Sequence, residues 1–288
     1  MITAEFEHHL PQNLSDLFAL LRDNPEQAKV LGGGMTLVPM LNLGLTAPTM
    51  LIGLRNLTEL NRLGEEAGHI VIGAMTRHFM IASDALIRQH APVLRLAAGL
   101  IGDVQVRNRG TIGGSLAHAD PAANYLPAVI VSDAVFELAS PRGRRAVPAH
   151  EFFCDTMTTL LEDDEIVVSI QVPKAGAEAG FGFQKFTRVK GNFPIVCAAA
   201  RLETANGPGR IVVGGVTPVP ITVQVPEKAC EDCGDLAALA DTMRAAIVDP
   251  LEDQNGDAEY KREMAVLFGF RAFADAQRDS KIRASRHA

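Results

Sequence analysis

The sequence predicts an α+β chain of two domains, on three observations. Its 288 residues are enough for two domains, and 47% of them are hydrophobic, which indicates a sizeable buried core. Short apolar stretches of strand character alternate with amphipathic stretches of helical character. Residues 173–182 are rich in Ala and Gly, which is typical of a linker between domains.

The first unit of the chain is predicted to hold a helix, two strands and a glycine-rich turn. Asn13 or Ser15 caps the helix, and the leucines that follow form an apolar stripe. A helical turn starts at Thr36 and ends near Leu43. The other elements are a helix over residues 13–22, strands over 28–31 and 50–54, and a connection over 56–63.

The second unit is predicted to build helices and strands around another glycine loop. Pro92 suits the first turn of a helix, and Gly102 ends that helix. An acidic turn over residues 162–165 is expected to expose its charges. The elements are strands over residues 69–73, 134–138 and 166–172, helices over 76–83 and 91–101, and a glycine loop over 110–115.

The third unit is predicted to place three strands before two helices. A turn over residues 206–209 joins the second strand to the third. The basic tail over residues 280–288 is expected to fray. The elements are strands over residues 181–188, 195–202 and 210–216, and helices over about 235–248 and 259–276.

Composition excludes several functional classes. The formal charge is −7 and the basic residues are scattered, which argues against a nucleic-acid binder. No apolar run approaches the roughly 18–20 residues that span a bilayer. The first nine residues carry two glutamates and no apolar segment, so they do not resemble a signal peptide. We therefore expect a cytoplasmic protein.

The four cysteines do not indicate a metal or redox site. Only Cys230 and Cys233 form a C-x-x-C pair, and the acidic spacer between them would raise a thiol pKa. A turn before a helix in a reducing compartment is the simpler interpretation. The spacing of the four cysteines does not suit an iron–sulfur cluster.

Two glycine segments carry the chemistry. Gly32, Gly33 and Gly34 follow an apolar stretch and precede Thr36, while Gly113 and Gly114 precede Ser115. Consecutive glycines let backbone N–H groups approach a ligand closely and converge on an anion, and a hydroxyl adds a further donor. Together the two segments predict a diphosphate held between two subdomains.

The residues alone leave alternatives open. A single glycine pair is more often a tight turn between a strand and a helix, and the residues do not distinguish FAD from other dinucleotides. The spacing matches neither the G-x-G-x-x-G fingerprint nor the G-x-x-x-x-G-K-[ST] loop. No Ser/His/Asp arrangement and no metal-ligand spacing is present either, so no catalytic or metal-binding residue is assigned.

The motifs resemble a known family along essentially the whole chain. The first segment resembles A-G-G-x-S, and the second, from Ile101, resembles I-G-D-x-Q-V-R-N-R-G-T-I-G-G-S. Both are similar to the FAD-binding medium subunits of the molybdenum hydroxylases, a family that includes carbon monoxide and xanthine dehydrogenases. The resemblance continues in residues 117–122, 161–165, 185–188 and 259–261.

The resemblance implies the fold and the domain organisation. It implies a two-subdomain FAD-binding domain of the vanillyl-alcohol-oxidase (PCMH) type over residues 1–176, with subdomains of about 1–57 and 58–176. Residues 177–288 would then form a smaller α+β C-terminal domain of the CO dehydrogenase flavoprotein type.

The resemblance also implies the cofactor contacts. Residues 32–36 and 111–115 would bind the FAD diphosphate, and Asp120 and Asn124 would lie near the ribityl or adenosine part. Ile101 would lie close to the isoalloxazine, Leu161 would offer it backbone contacts, and Lys185 would sit near its polar edge. The full predicted set is Leu31, Gly32, Gly33, Gly34, Met35, Thr36, Ile101, Thr111, Gly113, Gly114, Ser115, Asp120, Asn124, Leu161 and Lys185.

Simpler roles stand beside several of these assignments. Lys185 is compatible with an ordinary surface lysine, and Asp120 with a cap on the helix that follows Pro121. Arg107 and Arg109 either contact the diphosphate, pair with acids or face a partner subunit. We expect His118 to be a loop or interface residue.

Three positions depart from the family pattern. Gly34-Met35 replaces the usual Gln or His followed by Ser, so Thr36 is expected to supply the hydroxyl. Asn124 stands where relatives often carry an acid. Phe193 follows Gly191-Asn192 where relatives often have G-D-Y or G-D-F, in a region that approaches the flavin face.

The function implied is that of an electron-transfer subunit. A large subunit with molybdopterin would hydroxylate the substrate, expected to be an N-heterocycle or related small molecule, and a small subunit with two [2Fe–2S] clusters would pass electrons to FAD here. The complex would be a dimer of heterotrimers. A free-standing FAD oxidase or dehydrogenase and a non-catalytic nucleotide-binding scaffold are the alternatives. The acceptor, whether NAD, quinone, cytochrome or oxygen, stays open.

Overall fold

The N-terminal part of the chain forms a small parallel sheet. The computed structural model describes residues 5–227 and 233–287, and it confirms the predicted α+β fold. Asn13 caps the first helix, because its side-chain oxygen accepts a hydrogen bond from the Asp16 amide at 2.9 Å. The elements are β1 (Glu7–His9), α1 (Leu14–Asp23), β2 (Ala28–Leu31), α2 (Leu37–Asn42) and β3 (Met50–Gly53), with the strand order β1-β3-β2.

The second sheet has five antiparallel-paired strands in the order β4-β5-β10-β6-β7. The strands are β4 (Leu63–Glu66), β5 (His69–Gly73), β6 (Val135–Ser140), β7 (Gly143–Pro148) and β10 (Ile166–Pro173). A turn of 3₁₀ helix over Thr58–Asn61 leads into this sheet. A short ribbon of β8 (Phe153–Asp155) and β9 (Thr158–Thr159) lies before β10.

Helices pack on the second sheet and bury its apolar core. They are α3 (His78–Ser83), α4 (Ala85–His90), α5 (Pro92–Gly99), α6 (Val104–Arg109), α7 (Ile112–His118), α8 (Tyr125–Val131) and α9 (Ala149–Phe152). The rings of Phe136 and Phe152 are fully buried here and meet edge to face at 4.7 Å between centroids. The sequence predicted the bounds of only two of these helices, α3 and α5, and a further helix after Pro121.

The glycine loop predicted over residues 110–115 is wrong in part. Helix α7 begins at Ile112, so Gly113 and Gly114 lie in its first turn. Thr111 is the residue that caps this helix. Glycine disfavours a helix by about 1 kcal/mol relative to alanine, which explains why the pattern predicts a loop.

The C-terminal domain is a four-stranded antiparallel sheet covered by helices. Its strands are β11 (Gly180–Phe186), β12 (Val196–Leu202), β13 (Gly209–Gly214) and β14 (Ile221–Val225), in chain order. Its helices are α10 (Cys233–Ala246) and α11 (Ala258–His287). Arg201 and Arg210 both pair with Asp133 of the second sheet's domain, and Arg210 also donates to the Val131 carbonyl at 2.8 Å. These contacts fix the two domains against each other.

The predicted fraying of residues 280–288 is wrong for residues 280–287, because α11 continues to His287, while Ala288 lies outside the described residues. Ser280 is buried, and its hydroxyl donates to the Glu178 carbonyl. A methyl group on Gly180 would place its Cβ 2.0 Å from the Ala276 carbonyl, so the helix lies directly on β11. Arg283 donates to the carbonyls of Gln89 and Gly176. The tail is therefore held by tertiary contacts rather than by its own propensity.

The structure does not test the prediction for the C-x-x-C pair. Cys230 lies outside the described residues, as does the side chain of Cys233, so the structure leaves that pair untested.

Within residues 5–227 and 233–287, no helix combines the length and the apolar character that crossing a bilayer requires.

Candidate functional site

One cavity gathers the residues that the sequence singles out. It has a volume of about 550 Å³ and lies between the N-terminal sheet, the helices on the second sheet and the edge of the C-terminal domain. All of the predicted cofactor residues line it: Leu31, Gly32, Gly33, Gly34, Met35, Thr36, Ile101, Thr111, Gly113, Gly114, Ser115, Asp120, Asn124, Leu161 and Lys185. The fold thus brings residues that lie up to about 150 positions apart in the sequence to the lining of one cavity.

The first glycine segment crosses from β2 to α2 with its backbone donors unused. The N–H groups of residues 32–36 donate no hydrogen bond to any group in the described part of the chain. Gly34 has a φ of +74°, which a glycine adopts without strain. A run of unpaired backbone donors along a cavity wall is the arrangement that binds phosphate oxygens.

The second glycine segment uses its backbone donors differently. The N–H of Ile112 donates to the Thr76 carbonyl at 3.1 Å, and the N–H of Gly113 donates to the Ala74 carbonyl at 2.8 Å. The N–H of Gly114 donates to Thr111 Oγ1 at 3.3 Å. The amides of Ile112 and Gly113 therefore fix the start of α7 against the segment after β5, and Thr111 and Ser115 also line the cavity.

The two segments touch, and glycine is needed for the contact. A Cβ added at Gly33 would lie 2.1 Å from the Arg109 carbonyl oxygen and 2.7 Å from the Cα of Gly110. A Cβ added at Gly113 would lie 2.5 Å from the Cβ of Ala74. Neither glycine has a positive φ, so close approach, not backbone conformation, requires glycine at both positions.

Two cations bind the end of α5 beside the cavity. Lys185 Nζ donates to the Leu100 carbonyl at 3.0 Å. Arg107 Nη1 donates to the carbonyls of Ile101 and Gly102 at 2.8 and 3.0 Å. Lys185 is half-buried, and this burial lowers the pKa of its ammonium. The three successive carbonyls of residues 100–102 are thereby held in place.

The arginines of the second motif do not line the cavity. Arg107 is committed to the carbonyls at the end of α5, and Arg109 contributes its backbone carbonyl to the contact with Gly33. The contacts of Arg107 make it a structural clamp, a role that the sequence did not predict.

The remaining predicted residues combine structural contacts with cavity exposure. The Asn124 amide donates to the Ala97 carbonyl at 3.0 Å, a contact that a carboxylate does not make. Asp120 Oδ1 accepts from the Ala122 amide at 2.8 Å, but α8 begins only at Tyr125, so Asp120 stabilises the turn before that helix and does not cap it as predicted. The Leu161 N–H donates to Thr159 Oγ1 at 3.2 Å, so its carbonyl is the backbone group left for a ligand.

Two predictions about neighbouring residues are corrected. Glu165 is not an exposed charge, because its side chain is 3% exposed and forms a bidentate pair with Arg145 at 2.7 and 2.8 Å. Hydrogen bonds from Arg145 lower the pKa of this carboxyl. His118 ends α7 and lines the cavity, so it is not confined to a loop or an interface. Phe193 also lines the cavity and is 63% exposed.

Sequence reasoning missed one lining residue of chemical interest. His78 starts α3, is 4% exposed, and places Nδ1 3.1 Å from the hydroxyl of Tyr125. Burial and the nearby charge of Arg107 lower the pKa of His78 to about 4, so the ring is neutral at neutral pH. A lone histidine at the start of a short helix gives no local signal of such a position.

Two family models together match most of the chain. The model described as the FAD binding domain in molybdopterin dehydrogenase matches residues 4–175. The model described as the CO dehydrogenase flavoprotein C-terminal domain matches residues 181–276.

Individual proteins match along nearly their whole length. The carbon monoxide dehydrogenase medium chain of Hydrogenophaga pseudoflava is 37% identical over 272 residues, which cover 92% of this chain and 94% of that protein. A solved structure of carbon monoxide dehydrogenase from Hydrogenophaga pseudoflava, which lacks the Mo-pyranopterin moiety, matches with a TM-score of 0.91 and 38% identity over 96% of this chain and 98% of the other. Quinoline 2-oxidoreductase from Pseudomonas putida 86 matches with a TM-score of 0.89 and 29% identity over 97% and 99%.

Proposed function

Because the chain belongs to the FAD-binding medium subunits of the molybdenum hydroxylases, we propose that it holds FAD between residues 32–36 and 111–115 and relays electrons between partner subunits and an external acceptor. The domain match makes the chain an FAD-binding part of an oxidoreductase. The residues that contact each part of FAD, and the route of the electrons, are the content of the proposal.

The unpaired backbone donors of residues 32–36 carry the proposal. These N–H groups have no acceptor among the described residues and belong to a segment that lines the cavity, so they are available to the acceptor oxygens of a ligand. The diphosphate of FAD offers several acceptor oxygens and negative charge, which fit this row of donors. Thr111 and Ser115 line the same cavity at the start of α7, and their hydroxyls would bind from the other side.

The rest of the cavity suits the remaining parts of FAD. Ile101 and Lys185 lie beside the clamped carbonyls at the end of α5, where they would contact the isoalloxazine and its polar edge. Asp120 and Asn124 line another stretch of the wall and would face the ribityl or adenosine part. A flavin accepts electrons singly or in pairs, and the protein supplies binding, orientation and electrostatics.

The partners in the proposal follow from the family. A medium chain implies a large and a small chain, and a large molybdopterin subunit would hydroxylate the substrate while a small [2Fe–2S] subunit would bring electrons to this one. We further propose a dimer of such heterotrimers in the cytoplasm. Relatives are named for carbon monoxide and for quinoline, so an N-heterocycle or related small molecule is a fitting substrate class for the large subunit.

Purification of the chain together with the proposed large and small subunits tests this proposal. The expected complex contains FAD, iron and molybdenum, and bleaching of the flavin absorbance follows addition of the large subunit's substrate. A complex that contains flavin but neither iron nor molybdenum would support a free-standing flavoenzyme instead. A colourless protein that releases no flavin on denaturation would refute FAD binding altogether.

A further inference from the structure

His78 is a buried, cavity-lining side chain that the proposed function does not use. It is 4% exposed, and its Nδ1 lies 3.1 Å from the hydroxyl of Tyr125, which is fully buried. The two rings are tilted by 55°, with 5.3 Å between their centroids. Because the tyrosine is enclosed by the core, its hydroxyl fixes the orientation of the imidazole.

The opposite edge of the imidazole lies against Gly110. A Cβ added at Gly110 would lie 2.5 Å from His78 Nε2 and 2.7 Å from its Cδ2. Gly110 has a φ of −62° and a ψ of 146°, which any residue adopts without strain. The His78 ring therefore accounts for much of the need for glycine at this position. The His78 amide also donates to the Gly110 carbonyl at 3.1 Å.

Gly110 lies between His78 and the first glycine segment. A Cβ added at Gly33 would lie 2.7 Å from the Cα of Gly110, on the side of Gly110 that faces residues 32–36. Gly110 precedes Thr111, which caps α7 and faces the cavity. A displacement of Gly110 would therefore change the distance between the two segments that meet there.

We propose that His78, oriented by Tyr125, is a positioning residue of the FAD site, because its ring holds Gly110 against Gly33 and so sets the spacing of the two diphosphate-binding segments. This inference rests on the proposed function. A neutral ring suits the role, since a buried imidazolium next to Arg107 would place two positive charges together. The residue acts on FAD through the backbone of Gly110.

The first test measures FAD affinity of the full-length chain after removal and re-addition of FAD. Tyr125→Phe removes one oxygen atom and leaves the packing, and we expect it to weaken FAD binding about threefold to tenfold. His78→Ala is expected to weaken binding about tenfold or more, and His78→Gln, which keeps an amide near the position of Nε2, to recover part of the loss. His150→Ala, at an exposed position on α9, is the matched control and should bind FAD as the wild type does.

The second test is a double-mutant cycle between His78 and Gly110. Gly110→Ala alone should weaken FAD binding about tenfold through the clash with the imidazole. In the His78→Ala background the same substitution should cost at least about threefold less, because the space is free. Affinity for the folded chain is the readout, so a loss of overall stability alone does not imitate the result.

The outcomes separate this inference from the function on which it rests. A wild-type chain that binds no FAD refutes the proposed function. A wild-type chain that binds FAD, together with Tyr125→Phe and His78→Ala variants of unchanged affinity, refutes the role of His78 alone. Equal losses from Gly110→Ala in both backgrounds would likewise show that the imidazole does not position Gly110.

Discussion

Lys185 Nζ donates a hydrogen bond to the Leu100 carbonyl oxygen at 3.0 Å, and this contact joins the C-terminal domain to the end of α5 beside the cavity. Burial lowers the pKa of the lysine, yet the ammonium remains the only side-chain charge that β11 brings to the cavity lining among the described residues. Its placement supports a role near the polar edge of the isoalloxazine.

Replacement of this charge should change the bound flavin. A positive charge favours the reduced flavin, which carries more negative charge than the oxidised form, so Lys185→Met should lower the midpoint potential of bound FAD. We expect a decrease of about 30 mV, which corresponds to about 1.4 kcal/mol for a two-electron couple. A spectroscopic redox titration measures it.

Lys190→Met is the matched control for the lysine, because Lys190 is exposed on the segment after β11 and does not line the cavity. Its potential should equal that of the wild type. Equal potentials for all three proteins would place Lys185 away from the isoalloxazine and leave it a structural link between the domains.

Gly33→Ala should strongly weaken FAD binding. The new Cβ would meet the Arg109 carbonyl at 2.1 Å, so the two glycine segments must separate. Overpacking of this kind costs about 1–3 kcal/mol, which corresponds to a loss of about 5- to 150-fold in affinity. Gly64→Ala is the control, because a methyl group there meets nothing within 4 Å. Fluorescence quenching of added FAD measures both, and unchanged affinity in Gly33→Ala would argue against a shared clamp.

Thr111→Val should reduce both stability and FAD affinity. Thr111 Oγ1 accepts from the Gly114 amide at 3.3 Å, and loss of a helix cap costs about 1 kcal/mol. The hydroxyl also faces the cavity, so its removal should weaken FAD binding about tenfold. Asp84→Ala removes the cap of α4, where Asp84 Oδ1 accepts from the Ile87 amide at 3.0 Å. This control should lose similar stability and keep its FAD affinity; a parallel loss of affinity would assign the effect of Thr111→Val to stability.

The buried histidine predicts a pH dependence of stability. His78 has its pKa lowered from 6.5 to about 4, so between these values the unfolded chain binds a proton that the folded chain does not. The free energy of unfolding that depends on His78 is therefore fully present above pH 6.5 and falls as the pH decreases toward 4, by up to about 3 kcal/mol. Urea unfolding of the wild type and of His78→Gln at pH 6.5 and at pH 4 isolates this contribution, because the carboxylates titrate in the same way in the two proteins. An equal decrease in the two proteins would show that His78 titrates normally.

Much of the framework is predictable from sequence because it depends on local patterns. Strand β2 and strand β5 have the predicted bounds, and Asn13 caps α1 as predicted. These features are set by apolar periodicity and by one capping side chain, both of which are local. The gathering of the two glycine segments at one cavity also follows from their shared motif chemistry.

The remaining features depend on contacts between distant residues. Gly113 lies in a helix and approaches Ala74 too closely for any side chain, and no local propensity predicts either feature. The last turns of α11 are stable because Ser280 and Arg283 bind groups of the 173–182 linker region and of α4. His78 is recognisable only once Gly110 is seen beside it.

The two glycine segments differ in how they use their backbone N–H groups. The motif match is stronger for the second segment, yet most of its backbone N–H groups donate to groups of the protein itself. The N–H of Gly113, for example, donates to the Ala74 carbonyl. The first segment departs from the family pattern at Gly34 and Met35, yet the N–H groups of residues 32–36 have no acceptor among the described residues. Sequence similarity identifies a site, whereas the hydrogen-bond pattern shows which of its groups are free to bind.

A comparison of FAD with FMN tests whether the two glycine segments hold a diphosphate. FMN carries the same isoalloxazine with one phosphate and no adenosine. Isothermal titration of the flavin-free full-length chain should show FAD binding at least about 100-fold more tightly than FMN, because only FAD presents both phosphates to residues 32–36 and Thr111. Equal affinities for the two flavins, or binding of neither, would show that the two glycine segments do not hold the diphosphate of FAD.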